Sequence, residues 1–103
     1  MWHSHEIRFG LDHPTAAGHF PGNPIIPGAV LLDKAIDAIA GAGSPADAIV
    51  IRSAKFFQPV RPGEAVHIRW RSRADGQIAF ECRVLNPERL AVAGTVQIRR
   101  AGS

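Results

Sequence analysis

The sequence predicts an α+β domain in which one curved antiparallel sheet wraps around a single central helix. Three observations carry that expectation. A chain of 103 residues holds one core and leaves no room for a second, so residues 1–103 are read as one domain. One segment, residues 27–40, is apolar around almost its whole circumference: from Ala29 to Ala40 only Asp33, Lys34 and Asp37 are polar. Much of the remaining chain alternates apolar and polar side chains between Pro, Gly and Asn punctuation, the pattern of strands with one buried and one wet face. A one-sided sheet and an all-round apolar helix have one economical arrangement, in which the sheet curls about the helix.

The elements follow in order. Residues 5–11 read as a first strand, with Ile7 and Phe9 apolar among polar neighbours. A Pro/Gly-rich loop comes next. Pro27 is then placed at the first helical position, where its fixed φ suits a helix, and Gly41-Ala42-Gly43-Ser44-Pro45 stops it. Residues 48–57 form the next strand, closed by Pro59-Val60-Arg61-Pro62-Gly63. In residues 65–73, Val66, Ile68 and Trp70 alternate with His67, Arg69 and Arg71. Asp75-Gly76 makes a tight hairpin into a strand whose inner face is Ile78, Phe80, Cys82 and Val84. Asn86-Pro87-Glu88 turns into the last strand, residues 90–99, with Val92, Val96 and Ile98 aligned.

Composition narrows the function classes. An apolar fraction of 46% and a charged fraction of 20% belong to an ordinary globular protein. A single cysteine, Cys82, allows no internal disulfide and fits a reducing compartment, and no apolar run reaches the length of a membrane span. The chain is therefore expected in the cytoplasm. The net charge of +3 comes from arginine, with Arg69, Arg71 and Arg73 alternating along one strand. Such a surface attracts nucleic acid or an acidic protein. Neither zinc-ligand spacing nor aromatic residues interleaved with the basic ones supports nucleic acid, which is not expected as a partner.

The chemistry concentrates in residues 18–33, GHFPGNPIIPGAVLLD. His19-Phe20-Pro21-Gly22-Asn23-Pro24-Ile25-Ile26-Pro27-Gly28 resembles the HFPG-x-P-x-x-PG signature of the hot-dog-fold 3-hydroxyacyl-[acyl-carrier-protein] dehydratases of fatty-acid synthesis. A second stretch, Lys55-Phe56-Phe57-Gln58-Pro59-Val60-Arg61-Pro62-Gly63-Glu64, is similar to that family's K-F-x-x-P-V-x-P-G-D segment. The two fall in the family's order, and the strand pattern extends the resemblance over residues 5–99.

The resemblance implies a hydro-lyase acting on a thioester. It assigns His19 as the base that removes the proton beside the thioester carbonyl, a role suited to a side chain that titrates near neutral pH. It assigns Asp33 to the departing hydroxyl, where the family carries Asp or Glu. The backbone N–H of Gly28 would hold the thioester oxygen, in keeping with the unpaired N–H groups of a helix start. Phe20, Pro27, Val30 and Phe57 are the candidate loop and tunnel residues. The resemblance also implies a homodimer, or a higher oligomer built from it, in which the histidine and carboxylate of one site come from different subunits. It implies no cofactor, since the phosphopantetheine arm arrives with the substrate on an acidic acyl carrier protein. Lys55 and Arg61 are candidate contacts for that carrier.

Departures from the pattern matter. The family usually has glutamine where this chain has Asp37, which could act on Asp33 or simply face solvent beside Lys34. The chain is expected to do without the N-terminal segment that helps cover the tunnel in longer members. Short relatives serve polyketide-like and aryl-polyene pathways, so the substrate need not be an ordinary fatty acyl chain. Other polar residues have plainer readings. His3 and His5 share one face of a strand but lack a third ligand for a metal, and the terminus is expected to fray. His13 precedes a proline in a turn, His67 points outward from its strand, and Cys82 belongs to the core rather than to catalysis. Phe56 and Phe57 point to opposite faces, one of them toward the core. A hot-dog thioesterase and a non-catalytic dimerising or acyl-binding subunit are the competing readings. The histidine-bearing loop argues against the first, and Asp37 with the short N-terminus keeps the second open.

Overall fold

The computed structural model describes residues 1–10, 25–41, 48–85 and 87–99. Within them the chain runs β1 (His3–Arg8), α1 (Gly28–Gly41), β2 (Ala48–Phe56), β3 (Ala65–Ser72), β4 (Ile78–Val84) and β5 (Arg89–Arg99). The strands form one sheet in the order β1-β3-β4-β5-β2, every neighbouring pair antiparallel. The predicted inner faces are the observed ones. Val66, Ile68, Trp70, Phe80, Cys82, Val84, Val92 and Val96 are all buried, and they close over Leu31, Ala35 and Ile39 of α1.

β1 begins earlier than the alternation suggested. His3 pairs with Trp70 and stacks on its indole, ring centroids 5.8 Å apart. Trp2 is covered by the guanidinium groups of Arg69 and Arg71, at 4.3 and 4.9 Å from its ring. Cation–π contacts of this kind hold the chain start in place instead of letting it fray.

The turns follow from their residues. After β3 the amide of Gly76 donates to the Arg73 carbonyl (3.1 Å), and Gly76 takes φ +85°. Asp75 caps the turn by accepting from the Gln77 amide (3.0 Å). The loop is thus a three-residue type with a left-handed glycine at its end, rather than the two-residue turn expected from Asp-Gly alone. Between β2 and β3, Gly63 at φ +88° donates to the Phe9 carbonyl (2.8 Å), while its own carbonyl accepts from Arg8 (2.6 Å). That pair ties the turn to the end of the first strand.

The helix is less enclosed than its composition implied. Only the stripe Leu31, Ala35 and Ile39 is buried. Ala29 and Asp33 are exposed, and Ile36 and Ala40 are half-buried. At about 100° per residue these four positions fall on one line along the helix. A five-stranded sheet covers one side of such a helix, so one chain leaves this second, mostly apolar stripe open.

Candidate functional site

The helix start is pinned before it begins. Ile26, almost fully buried, donates its N–H to the Val60 carbonyl (2.7 Å), which ties the incoming chain to the segment after β2. The Pro27 carbonyl then accepts from the amides of Val30 (3.0 Å) and Leu31 (3.4 Å). Pro27 is therefore the cap residue, one place earlier than expected, a displacement within the ordinary fraying of helix ends. The amides of Gly28 and Ala29 come before the first helical bonds, and they are the donors a helix start leaves for something else to fill.

Phe56, the last residue of β2 on the inner face, lays its ring on this start. A Cβ added at Gly28 would meet the Cδ1 and Cε1 atoms of Phe56 at 2.6 Å. Only glycine lets the ring lie there. Ile26, Gly28, Leu31, Phe56, Phe57 and Pro59 are among the lining of an apolar cavity of about 250 Å³. Phe56 and Phe57 are 55% and 51% exposed, so neither belongs to the core of a single chain. Both border the cavity instead.

The predicted site residues divide accordingly. Gly28 and Phe57 come together at the cavity; Pro27 and Val30 adjoin it without lining it, Val30 packing against the core. Asp33 is exposed on the open stripe of α1. It lies five residues beyond Gly28, about 7.5 Å along the axis and about 140° around it. Within one chain, the cavity and Asp33 therefore face different ways. His19 and Phe20 lie outside the described residues. Lys55 is exposed opposite Ala93, and Arg61 is exposed with its backbone N–H donated to Glu64 (2.7 Å).

Two features escaped the sequence pattern. The Phe56–Gly28 contact joins residues far apart in the chain, and its one signal was the inward parity of Phe56. A larger groove of about 820 Å³ also runs between β1 and α1, with Ile7, Phe9, Trp70 and Ala38 along it and His5, Lys34 and Asp37 at its rim. Asp37, standing where the resemblance expects glutamine, is exposed there beside Lys34.

Among the described residues two titrating groups are displaced, and neither borders the Gly28 cavity. Burial alone pushes the Cys82 thiol up to about 12, which makes it an inert core group. Partial burial opposes ionisation of Glu64. The Arg61 amide and the Arg89 guanidinium (2.7 Å) outweigh it and hold that carboxyl below its ordinary value. Among the described residues, no group of His, Cys, Asp and Glu could hold a metal ion.

Comparison with known proteins places this geometry. Residues 3–95 match the model of the family described as ApeI-like, ApeI dehydratase. The chain belongs to that family. Its sheet and helix are those of the hot-dog fold, as the sequence resemblance implied. Among similar proteins, the 3-hydroxyacyl-[acyl-carrier-protein] dehydratase FabZ of Thermomicrobium roseum is 29% identical over 97 residues, covering 73% of this chain and 65% of that protein. The FabZ of Thermus thermophilus is 28% identical over 104 residues, covering 88% of this chain and 73% of the other. The chain thus spans about two thirds to three quarters of these relatives' length. Among solved structures, the dehydratase heterocomplex ApeI:P of Xenorhabdus doucetiae superposes with a TM-score of 0.74 at 18% identity, over 96% of this chain and 88% of the matched one. No helix among the described residues is long and apolar enough to cross a membrane.

Proposed function

We propose that this protein dehydrates a 3-hydroxyacyl thioester, presented by an acyl carrier protein in the cytoplasm, to the 2-enoyl thioester. The observation that carries the reading is the helix start: an ApeI-like chain offers, at Gly28 on an apolar cavity, amides without a partner among the described residues, with an exposed carboxylate further along the same helix. In this reading His19 takes a proton from C2 while the amide of Gly28 donates to the thioester oxygen, where enolate charge develops. Losing one such donor costs about 3–4 kcal/mol in comparable oxyanion sites. Asp33 supplies a proton to the departing C3 hydroxyl. The C2–H and C3–O bonds break, the C2–C3 double bond forms, and water leaves. The chain's own groups suffice for this balance, so no cofactor enters the proposal.

Asp33 faces away from its own chain's cavity, and this favours a site shared between two subunits. β2 supports the pairing. Among the described residues it is an edge strand, bonded only to β5, and Ile51, Phe56 and Phe57 are each more than 40% exposed along or beside it. An unpaired edge with exposed apolar side chains invites a second chain. The open stripe around Asp33 would be covered in the same step. We read the assembly as a homodimer.

The test gives purified protein a 3-hydroxyacyl thioester on carrier protein and measures enoyl thioester and free acid together. Enoyl product that vanishes in His19→Ala and falls sharply in Asp33→Asn is expected. Mixing those two variants should raise activity above that of either alone, because one hybrid site then carries both native residues. Free acid in place of enoyl thioester would make the protein a thioesterase. Sedimentation as a monomer would sink the shared site, and activity only with a second, different chain would make the pair a mixed one.

A further inference from the structure

The chain leaves β1 through Phe9 and enters α1 through Ile26, and His19 lies between them in the sequence. One short connection, after β2, holds both of those residues. On the entry side the Gly63 amide donates to the Phe9 carbonyl (2.8 Å). On the return side the Ile26 amide donates to the Val60 carbonyl (2.7 Å), in an isolated antiparallel bridge. Val60 and Gly63 are three residues apart, which limits their separation to about 11 Å. Phe9, Ile26 and Val60 are all buried, so the two ties stand on the core.

The connection is itself braced. Gly63 takes φ +88°, which glycine adopts without strain. The Glu64 amide donates to the Arg61 carbonyl (3.1 Å), and the Glu64 carboxylate accepts from the Arg61 amide and from Arg89 of β5 (2.7 Å each). The two ties differ in what secures them. Ile26 and Val60 meet in the core, whereas the entry tie lies at a strand end. There one side chain adds to it: Arg8 donates from Nη1 to the Gly63 carbonyl (2.6 Å). Arg8 and Phe9 thus engage the C=O and the N–H of the same glycine. Arg8 is exposed and forms no ion pair among the described residues, so no carboxylate there competes for its guanidinium.

We infer that Arg8 is a positioning residue for the dehydration, which rests on the reading above that His19 is the base. Its bond to Gly63 fixes the direction in which the chain leaves β1. Val60 fixes the point of return, two residues before Gly28. The base and the amide that meets the thioester oxygen are then set from one frame, with His19 between the ties in sequence and Gly28 just after the second. Without Arg8 the entry side keeps a single neutral bond in place of a charge-assisted pair. Misplacing a catalytic group by about 1 Å costs about a hundredfold in rate, even when the altered residue is far from the chemistry. Arg8 touches no reacting atom, so its loss should leave substrate binding alone.

The test measures kcat and KM for dehydration of a 3-hydroxyacyl thioester on carrier protein, with each variant's thermal midpoint beside them. Arg8→Ala removes the side chain, and Arg8→Met removes the donor but keeps the apolar stem. Each should lower kcat by about ten- to a hundredfold with KM changed by less than about twofold. Arg8→Lys keeps a charged donor and should recover part of the loss. Millimolar guanidinium ion should raise kcat of Arg8→Ala by filling the vacated place, and should not raise that of the unaltered protein. A merely structural role would not respond this way, since guanidinium weakens a fold. Arg73→Ala, which removes an exposed pair with Asp75 (3.2 Å) at the β3–β4 turn, should keep full activity. Unchanged kcat in Arg8→Met overturns the inference, even if Arg8→Ala does not fold. So does an equal fall in Arg73→Ala, or a lowered midpoint in Arg8→Ala with no response to guanidinium. Unchanged kcat in the Arg8 variants beside an active unaltered protein would refute the positioning alone. No dehydration by the unaltered protein would refute the proposed reaction, and the role of Arg8 with it.

Discussion

Gly94 is the position at which the sheet tolerates least. It lies on β5 opposite Ala54, just past the irregularity in β2 between Ile51 and Ser53, where Arg52 is left unpaired. A Cβ built at Gly94 would meet the Ser53 carbonyl oxygen at 2.1 Å and the Cε1 and Cζ atoms of Phe80 at 3.0 Å. Neither neighbour yields easily, since one is backbone of a paired strand and the other a ring only 1% exposed. Ordinary contact needs β2 to retreat by more than about 1.3 Å, which a ladder hydrogen bond does not survive. Overpacking of this kind costs about 1–3 kcal/mol, and each lost backbone bond adds about 1 kcal/mol. Gly94→Ala should therefore destabilise by about 3–5 kcal/mol, against a total of about 5–15 kcal/mol for a domain of this size. Urea denaturation, followed by tryptophan fluorescence from Trp2 and Trp70, measures it. Phe80→Leu in the same chain should recover only a minor part, because the ring is the lesser obstacle. A loss below about 1 kcal/mol, or full recovery with Phe80→Leu, would refute the close approach of β2 to β5.

Three further expectations follow from neighbouring contacts. Gly28→Ala must displace a ring that is free to swing toward solvent, so it should cost only about 1 kcal/mol. A double-mutant cycle with Phe56→Ala should remove most of that cost, and additive single effects would show that the ring does not lie on Gly28. The folded state lowers the pKa of Glu64, so its ionised form contributes stability above its ordinary value of 4.5, lost as pH falls through the lowered one. Glu64→Gln should then cost about 1 kcal/mol near pH 7, the pair being only partly buried, and nothing once both chains are uncharged; an equal gap at pH 3 and pH 7 in chemical denaturation would contradict this. Cys82, buried and pushed up to about 12, should react with a thiol reagent only on unfolding. Labelling at a rate independent of denaturant would show that its strand opens locally.

The strands were legible because period-two alternation reports burial directly. Every inner-face residue expected on β3 and β4 is at least partly buried there, from Val66 to Val84. The sheet order was not legible. β2 follows the helix in sequence yet pairs with β5 at the far edge, a choice made by contacts that no local pattern encodes. Nor was the early start of β1, which depends on Trp2 and His3 meeting Arg69, Arg71 and Trp70 across the sheet. The site was half legible. The Pro/Gly run announced a rigid helix start, and the structure adds the ring of Phe56 that presses on it.

The apolar circumference of α1 held more information than a single chain explains. A helix covered by sheet on one side needs one apolar stripe, and Leu31, Ala35 and Ile39 provide it. The further run through Ala29, Ile36 and Ala40 has no element packed over it among the described residues, and Asp33 sits within it. An isolated monomer would gain solubility from polar residues there. Their absence makes sense if that stripe faces a second subunit. The same inference explains why Asp33 and the Gly28 cavity lie on different sides of one helix. Each would be half of a site, completed only when two chains pair.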